Sequence, residues 1–312
     1  MMDINYLLFL QNFRNSIDNA WTPYIEFLSL FAITYLPLIP TFIYWCINKK
    51  KGLFVLAALN IAMSLNVLIK LTACVYRPWI RDVRILPAGD SIKTATGYSF
   101  PSGHTAIGTS IYGGLAINFW KQKWLVWLCV LAILLTGFSR NYLGVHTPQD
   151  VLVGLLVGVG SIWLTYKGFT YIEKHPEQEN KLLLGVIIFV IVSLIYITYK
   201  SYPLDYMDGK PLMDPQRMIR NGYRNFGGLF AFCIGRFVEK RWIKFQATGL
   251  TVKGVFWGLI GLLPLYWMMQ SLSGVMVNWL GPNTGRFVAS GLWVFYIVAF
   301  YPFILKCFCK SR

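Results

Sequence analysis

Long apolar runs separated by short polar segments make up nearly the whole chain. A helix that crosses a bilayer needs about 20 mainly apolar residues. Nine runs reach or approach that length, at residues 24–47, 53–76, 105–120, 124–138, 151–166, 182–199, 226–238, 254–272 and 287–308. The seventh is the weakest, because Arg236 sits inside it. No linker is long enough for a soluble domain. The pattern predicts an all-α fold, a polytopic transmembrane helical bundle of about nine spans. Residues 1–170 and 171–312 form its N-terminal and C-terminal groups of spans within one integral membrane unit. Residues 1–21 carry Asp3, Arg14 and Asp18 and lack the basic start and isolated apolar core of a signal peptide. They are expected to stay on the chain as a short helix at the membrane surface.

The linkers give an orientation. Lys49, Lys50 and Lys51 follow the first run, Lys121 and Lys123 the third, and Lys167, Lys174 and Lys181 the fifth. Lys240, Arg241 and Lys244 follow the seventh, and Lys306, Lys310 and Arg312 end the sequence. Cytoplasmic linkers are the ones enriched in Lys and Arg. The odd-numbered linkers are therefore expected inside, and the N-terminus and the even-numbered linkers outside. The second and fourth linkers, which hold the residues of chemical interest, share the outer face on this reading. A bacterial plasma membrane with an outward site fits, and so does an endoplasmic reticulum membrane with a lumenal one.

Composition sharpens this picture. Only 13% of the 312 residues are charged, against about 25% in soluble domains. The net charge of +16 would suggest nucleic acid in a soluble protein. Here the basic residues fall in short linkers, with no aromatic-interleaved basic run, so no nucleic-acid partner is expected. Some of the Arg and Lys are expected to line a site for an anionic group instead. Cys46, Cys74, Cys129 and Cys233 read as small apolar packers, and Cys307 and Cys309 sit beside a membrane end. With three histidines in all and no Cys/His ligand spacing, neither a metal nor another cofactor is called for. Oligomeric state is not legible.

Three polar clusters interrupt the apolar pattern. Lys70 and Arg77 close the second run, seven residues apart, and share a face if the helix continues. Taken alone, the pair reads as interfacial anchors rather than as a site. Pro101-Ser102-Gly103-His104 opens the third run. Gly103 permits close backbone approach, and the first amides of a helix attract anions. Ser102 alternatively reads as a plain helix cap. Arg140 closes the fourth run, and His146-Thr147-Pro148-Gln149-Asp150 opens the fifth. Thr147 reads as the N-cap, Pro148 as the first helical residue and Asp150 as the third. A carboxylate four residues after His146 can turn back to its ring and fix the tautomer. His175 lies in a hydrophilic linker on the other side and reads as surface.

Together, Lys-six-Arg-Pro, Pro-Ser-Gly-His and Ser-Arg-five-His-three-Asp are complete and in order. The set resembles the type 2 phosphatidic acid phosphatase superfamily. It covers residues 70–150, and Tyr98-Ser99-Phe100 before Pro101 is similar to the lipid-phosphate branch. The nine-span layout is similar to the glucose-6-phosphatase and sphingosine-phosphate phosphatase branches. The resemblance implies a phosphatase core within residues 1–170, with His146 as nucleophile, Asp150 as its orienting partner and His104 as general acid. It implies Lys70, Arg77, Ser102, Gly103 and Arg140 as the phosphate-binding set. The expected activity is metal-independent hydrolysis of a lipid phosphate monoester or diphosphate through a phosphohistidine. The expected partners are a lipid phosphate substrate and membrane lipids. Alternatives are a soluble sugar phosphate as substrate, or transport or flipping of phosphorylated lipids. The stretch 202–210 with Arg217, Arg220 and Arg224, in the sixth linker, is expected to face the same site.

Overall fold

The computed structural model describes residues 2–95, 97–207 and 209–309. Asp208, Lys310 and Arg312 of the sequence reading lie outside them. Fourteen α-helices follow one another among the described residues. They are α1 (Met2–Ser16), α2 (Thr22–Thr34), α3 (Leu38–Phe42), α4 (Lys49–Ala73), α5 (Pro78–Arg81), α6 (Ser91–Thr94) and α7 (Gly103–Asn118). Next come α8 (Lys123–Tyr142), α9 (Pro148–Lys174), α10 (Glu179–Tyr199) and α11 (Pro215–Val238). The series ends with α12 (Val252–Leu280), α13 (Pro282–Phe295) and α14 (Tyr301–Phe308). The chain is thus an all-α polytopic membrane protein. A hairpin of two-residue strands, Tyr206 opposite Pro211, decorates the sixth linker.

Six of these helical segments are long and apolar enough to cross a membrane, or up to seven if the pair α2 and α3, bent by 41°, counts as one span. The 16-residue α7 falls short of that length, and α11 begins at Pro215 rather than near 226. Arg217, Arg220 and Arg224 therefore lie on a helix and not in a linker. Their spacing over the first turns of α11 is helical, which the charge had masked in a search for apolar runs.

Helix α4 is the central post. It packs against α7 and α9 on one side and α10 and α11 on another, so the two groups of spans share one bundle. The glycines Gly154 and Gly158 of α9 let α7 approach closely. A Cβ at Gly154 would sit 2.6 Å from the Ser102 carbonyl, and one at Gly158 would sit 2.5 Å from Thr109 Cβ. Small residues four apart are a common device for close helix packing in membranes. Here they bring the Pro-Ser-Gly-His turn against the first turns of α9.

The linkers sort to two ends. At one end Lys49 pairs with Glu239 at 2.6 Å, Lys240 with Glu179 at 2.6 Å, and Lys50 with Glu173, while Lys51 lies over the Phe119 ring. That gathers the first, third, fifth and seventh linkers. At the other end the Ala88 amide donates to the Leu143 carbonyl at 3.0 Å, and Tyr76 Oη donates to Asp205 Oδ2 at 2.6 Å. Arg286 Nη1, just after the eighth linker, donates to Asn221 Oδ1 at 3.3 Å. Helix α1 is held at this second end, because Arg14 donates to the Leu86 and Tyr142 carbonyls at 2.7 and 2.9 Å. The alternation read from the lysines is thus the alternation of the fold.

Candidate active site

Each site residue named from the sequence lies at the second end of the bundle, and all but Gly103 are nearly devoid of solvent contact. They reach it by different routes. Helix α4 stops at Ala73, and Cys74 takes a left-handed conformation with φ 50°. Lys70 and Arg77 do not share the face of a continuing helix. Lys70 is on the last turn of α4, whereas Arg77 is extended and precedes Pro78, the first residue of α5. The two converge because the chain folds back after Cys74, with the Ser99 amide donating to the Val75 carbonyl at 2.7 Å.

Lys70 Nζ donates to three carbonyls, Tyr98 at 3.0 Å, Ser99 at 2.9 Å and Pro101 at 2.7 Å. All three of its protons are used to shape the loop leading into α7, which places the charge directly behind the Pro-Ser-Gly-His turn. Arg77 Nε donates to the Gly97 carbonyl at 2.9 Å, and Nη1 to the Val145 carbonyl at 2.8 Å. Nη1 also lies 3.0 Å from His146 Nε2. A guanidinium is only a donor, so His146 Nε2 is the acceptor and carries its lone pair.

The other ring nitrogen completes the picture. His146 Nδ1 is 3.3 Å from Asp150 Oδ2. The same oxygen accepts from the Ser99 hydroxyl at 2.5 Å and from the Thr147 amide at 2.8 Å. With Nε2 accepting, Nδ1 holds the proton and donates to Asp150. Asp150 also forms the capping box of α9 with Thr147, and Pro148 is the first helical residue. The structural role and the orienting role read from the sequence coexist. His146 sits in the turn between α8 and α9. Burial first, and then the Arg77 guanidinium, push its imidazole well below its usual value. The Asn141 side-chain amide holds the His146 carbonyl at 2.9 Å.

Ser102 caps α7. Its hydroxyl oxygen accepts from the Thr105 amide at 3.4 Å and from the Thr105 hydroxyl at 2.9 Å, which spares its own proton for donation. The Ser102 amide donates to the Asp150 carbonyl at 2.8 Å, tying the two helix starts together. A Cβ at Gly103 would meet only Asn66 Oδ1 at 3.5 Å, an ordinary contact, so no neighbouring protein atom demands glycine there. His104 lies within electrostatic range of Arg140, His146, Arg77 and Lys70. Arg140 reaches the Ser29 hydroxyl through Nη1. A cavity of about 160 Å³ beside it is lined by Glu26, Ser29, Asp90, Ser91 and Lys93, among others.

Three buried donors or acceptors in this cluster have no hydrogen-bond partner among the described residues: His104 Nε2, Arg140 Nε and Arg140 Nη2. Leaving such groups unpaired costs about 1–3 kcal/mol each. They match a tetrahedral oxyanion, to which Arg offers a two-pronged fork and His a single proton. Sequence reasoning did not single out Ser99, Asn141, Ser29 or Glu26 as site residues. His175, by contrast, is exposed beside Glu177, as expected of a surface residue.

Residues 51–174 match the family model of the PAP2 superfamily. Among characterised proteins, the chain is similar to an undecaprenyl-diphosphatase of Sulfolobus acidocaldarius, with 28% identity over 139 residues, 44% of this chain and 63% of that one. It is similar to a lipid A 4'-phosphatase of Porphyromonas gingivalis, with 27% identity over 42% of this chain and 57% of that one. It is also similar to a phosphatidylglycerophosphatase B of Bacillus subtilis, with 34% identity over 34% of this chain and 54% of that one. The chain thus spans less than two thirds of the length of these relatives. No solved structure matches. The family model, the three motifs and their convergence on one end of the bundle agree: residues 51–174 are a PAP2 superfamily domain.

Proposed function

We propose that the protein is a metal-independent membrane phosphatase for a lipid phosphate monoester or diphosphate. The observation that carries this reading is the His146 imidazole held between Asp150 on Nδ1 and Arg77 on Nε2. His146 Nε2 attacks phosphorus as the ester oxygen leaves. That oxygen takes a proton from His104, giving the lipid alcohol (or, from a diphosphate, the lipid monophosphate) and a phosphohistidine. Water then attacks phosphorus, His104 takes the water proton, and inorganic phosphate departs with His146 restored. To free the lone pair, Arg77 must exchange its bond to Nε2 for the phosphoryl oxygens, where its charge is needed. Arg140 and the Ser102 hydroxyl complete the set around the transferring group, and Lys70 supplies charge from behind the loop. Charge stabilisation and positioning are the main needs of phosphoryl transfer, and these cations supply them without a metal. All three named relatives act on lipids carrying phosphate, which favours a lipid substrate here.

The test is phosphate release by purified protein in detergent with excess chelator. The panel is undecaprenyl diphosphate, phosphatidylglycerol phosphate, phosphatidic acid and glucose 6-phosphate. We expect kcat/KM on at least one lipid to exceed that on the sugar phosphate by more than about 100-fold, about 2.7 kcal/mol. A preference for glucose 6-phosphate, or activity only after Mg²⁺ is restored, overturns the reading.

The site is proposed to face away from the cytoplasm, because the basic linkers gather at the opposite end. Val83 lies on the second linker and is exposed. In a background lacking the six cysteines, Val83→Cys is expected to react with an impermeant thiol reagent on intact cells. Labelling only in inverted vesicles reverses the topology.

A further inference from the structure

From the basic end of the bundle an apolar cleft of about 920 Å³ runs between α4, α9, α10 and α11. Ile61 and Leu65 of α4, Phe169 of α9, Phe189 of α10 and Leu229 of α11 line it. A second depression of about 570 Å³ adjoins it and is lined by Lys49, Lys50, Arg236, Lys240 and Lys244. Lys49, Lys50 and Arg236 line both. The two are therefore one continuous feature, apolar toward the bilayer core and cationic at its rim.

The charges at the rim do not cancel. Glu239 pairs with Lys49 and Arg236, Glu179 with Arg236 and Lys240, and Glu173 with Lys50. That leaves five cations facing three carboxylates. Lys244 is exposed and pairs with no carboxylate among the described residues. Lys49 at the rim and Lys70 at the catalytic end are 21 residues apart on α4, roughly 32 Å along the helix axis, about the thickness of a bilayer core. The cationic rim is therefore no part of the catalytic cluster, while the apolar floor runs along α4 as far as Leu65, five residues before Lys70.

Two glycines mark its wall. Gly168 of α9 and Gly185 of α10 line the cleft, and a Cβ at either would meet nothing within 4 Å. Glycine in a helix is less favourable than alanine, so it is costly to keep there without a reason. Neither glycine serves the close helix approach seen at Gly154 and Gly158. They keep the cleft wide.

We propose that this feature binds one anionic glycerophospholipid of the leaflet opposite the catalytic site, with acyl chain in the cleft and phosphate at the cationic rim. A cleft of this volume is in the range of ligand sites, about 300–1,000 Å³. The excess of lysine and arginine selects an anionic headgroup over a zwitterionic one. The inference is independent of the phosphatase reading.

The experiment is native mass spectrometry of delipidated protein titrated with phosphatidylglycerol or with phosphatidylcholine of identical tails. One phosphatidylglycerol is expected to bind at least about 10-fold more tightly than phosphatidylcholine. Two variants separate head from tail. Lys50→Gln with Lys244→Gln removes exposed rim charge. Gly168→Leu with Gly185→Leu fills the cleft at positions with open space, where leucine also favours the helix. Each is expected to weaken phosphatidylglycerol at least 10-fold, with unchanged Tm and unchanged phosphate release. Equal binding of the two lipids, or wild-type affinity in the glycine variant, overturns the proposal. So does a wild-type dimer that the glycine variant dissociates, because the cleft is then a seam between two copies.

Discussion

His146→Ala is expected to lose at least about 10⁴-fold in kcat, about 5.5 kcal/mol of barrier. It is expected to lose with it the covalent label that ³²P substrate leaves on the wild-type protein. A phosphoramidate survives base and is lost in acid, so quenching in each identifies the adduct. The size follows from the geometry. The lone pair on Nε2 exists only because Nδ1 holds the proton, and Nδ1 holds it because Asp150 Oδ2 accepts there, steadied by Ser99 and the Thr147 amide. Asp150→Asn keeps an oxygen able to accept the Thr147 amide, so the start of α9 survives. The Nδ1 proton is then no longer stabilised as the imidazole becomes cationic, and a loss of roughly 10²–10⁴-fold is expected. The pH profile offers a second check. A protonated His146 has no lone pair to give. Burial and Arg77 lower its proton affinity, so the nucleophile is neutral at pH 7 and is lost only as pH falls through the lowered value. The acid limb of kcat/KM that belongs to His146 is therefore expected below the ordinary histidine value of about 6.5. Substantial turnover by His146→Ala, with no adduct in the wild type under rapid quench, assigns the attack to water directly.

The helical regions were legible because hydrophobic length is a local, additive property. Six of the nine apolar runs, or seven with the bent pair α2 and α3, fall on helices long and apolar enough to cross a membrane, and the lysine linkers gather at one end of the bundle. Helix α11 shows the limit of that reasoning. Its first half carries Arg217, Arg220 and Arg224 among few apolar residues, so a search for apolar runs starts it eleven residues late, at 226 rather than Pro215. The bend after Cys74 was invisible for a related reason. A left-handed residue that is not glycine leaves no compositional trace, and the helix looked able to continue to Arg77.

The candidate site was legible through motif order rather than through geometry. Spacing placed Thr147, Pro148 and Asp150 in their capping positions, because an N-terminal box is written within four residues. Ser99 was missed as a partner because its contact with Asp150 joins positions 51 residues apart, and no periodicity links them. Its only signal was its place in the Tyr98-Ser99-Phe100 run ahead of Pro101. Arg140's contact with Ser29, across 111 residues, left no signal at all. The motif resemblance is what assigned Lys70 to phosphate. The structure gives its three protons to carbonyls of the loop, so it fixes the turn that holds Ser102 and His104, and on the proposed reading its charge would act on phosphate only from behind that loop.

His104→Ala is expected to separate two substrates by the basicity of their leaving groups. On a lipid phosphate the leaving group is an alkoxide, which departs slowly unless protonated, and loss of the general acid is expected to lower kcat by about 10²–10⁴-fold. On p-nitrophenyl phosphate the leaving phenolate needs little protonation, so the first step is expected to slow by less than about tenfold. Steady-state turnover alone would blur this, because in the proposed mechanism His104 also activates water in the second step on either substrate. The clean observable is the burst. The variant is expected to release about one equivalent of p-nitrophenol per site at nearly the wild-type rate and then stall as phosphohistidine. The structure places His104 in the first turn of α7, two residues after the Ser102 cap, buried, and with Nε2 unpaired among the described residues. No described residue occupies that nitrogen, so alanine there breaks no hydrogen bond on Nε2, and the variant is expected to keep the wild-type Tm. A burst slowed as much as lipid turnover would instead place His104 on the phosphoryl group, as a charge-stabilising contact rather than the acid.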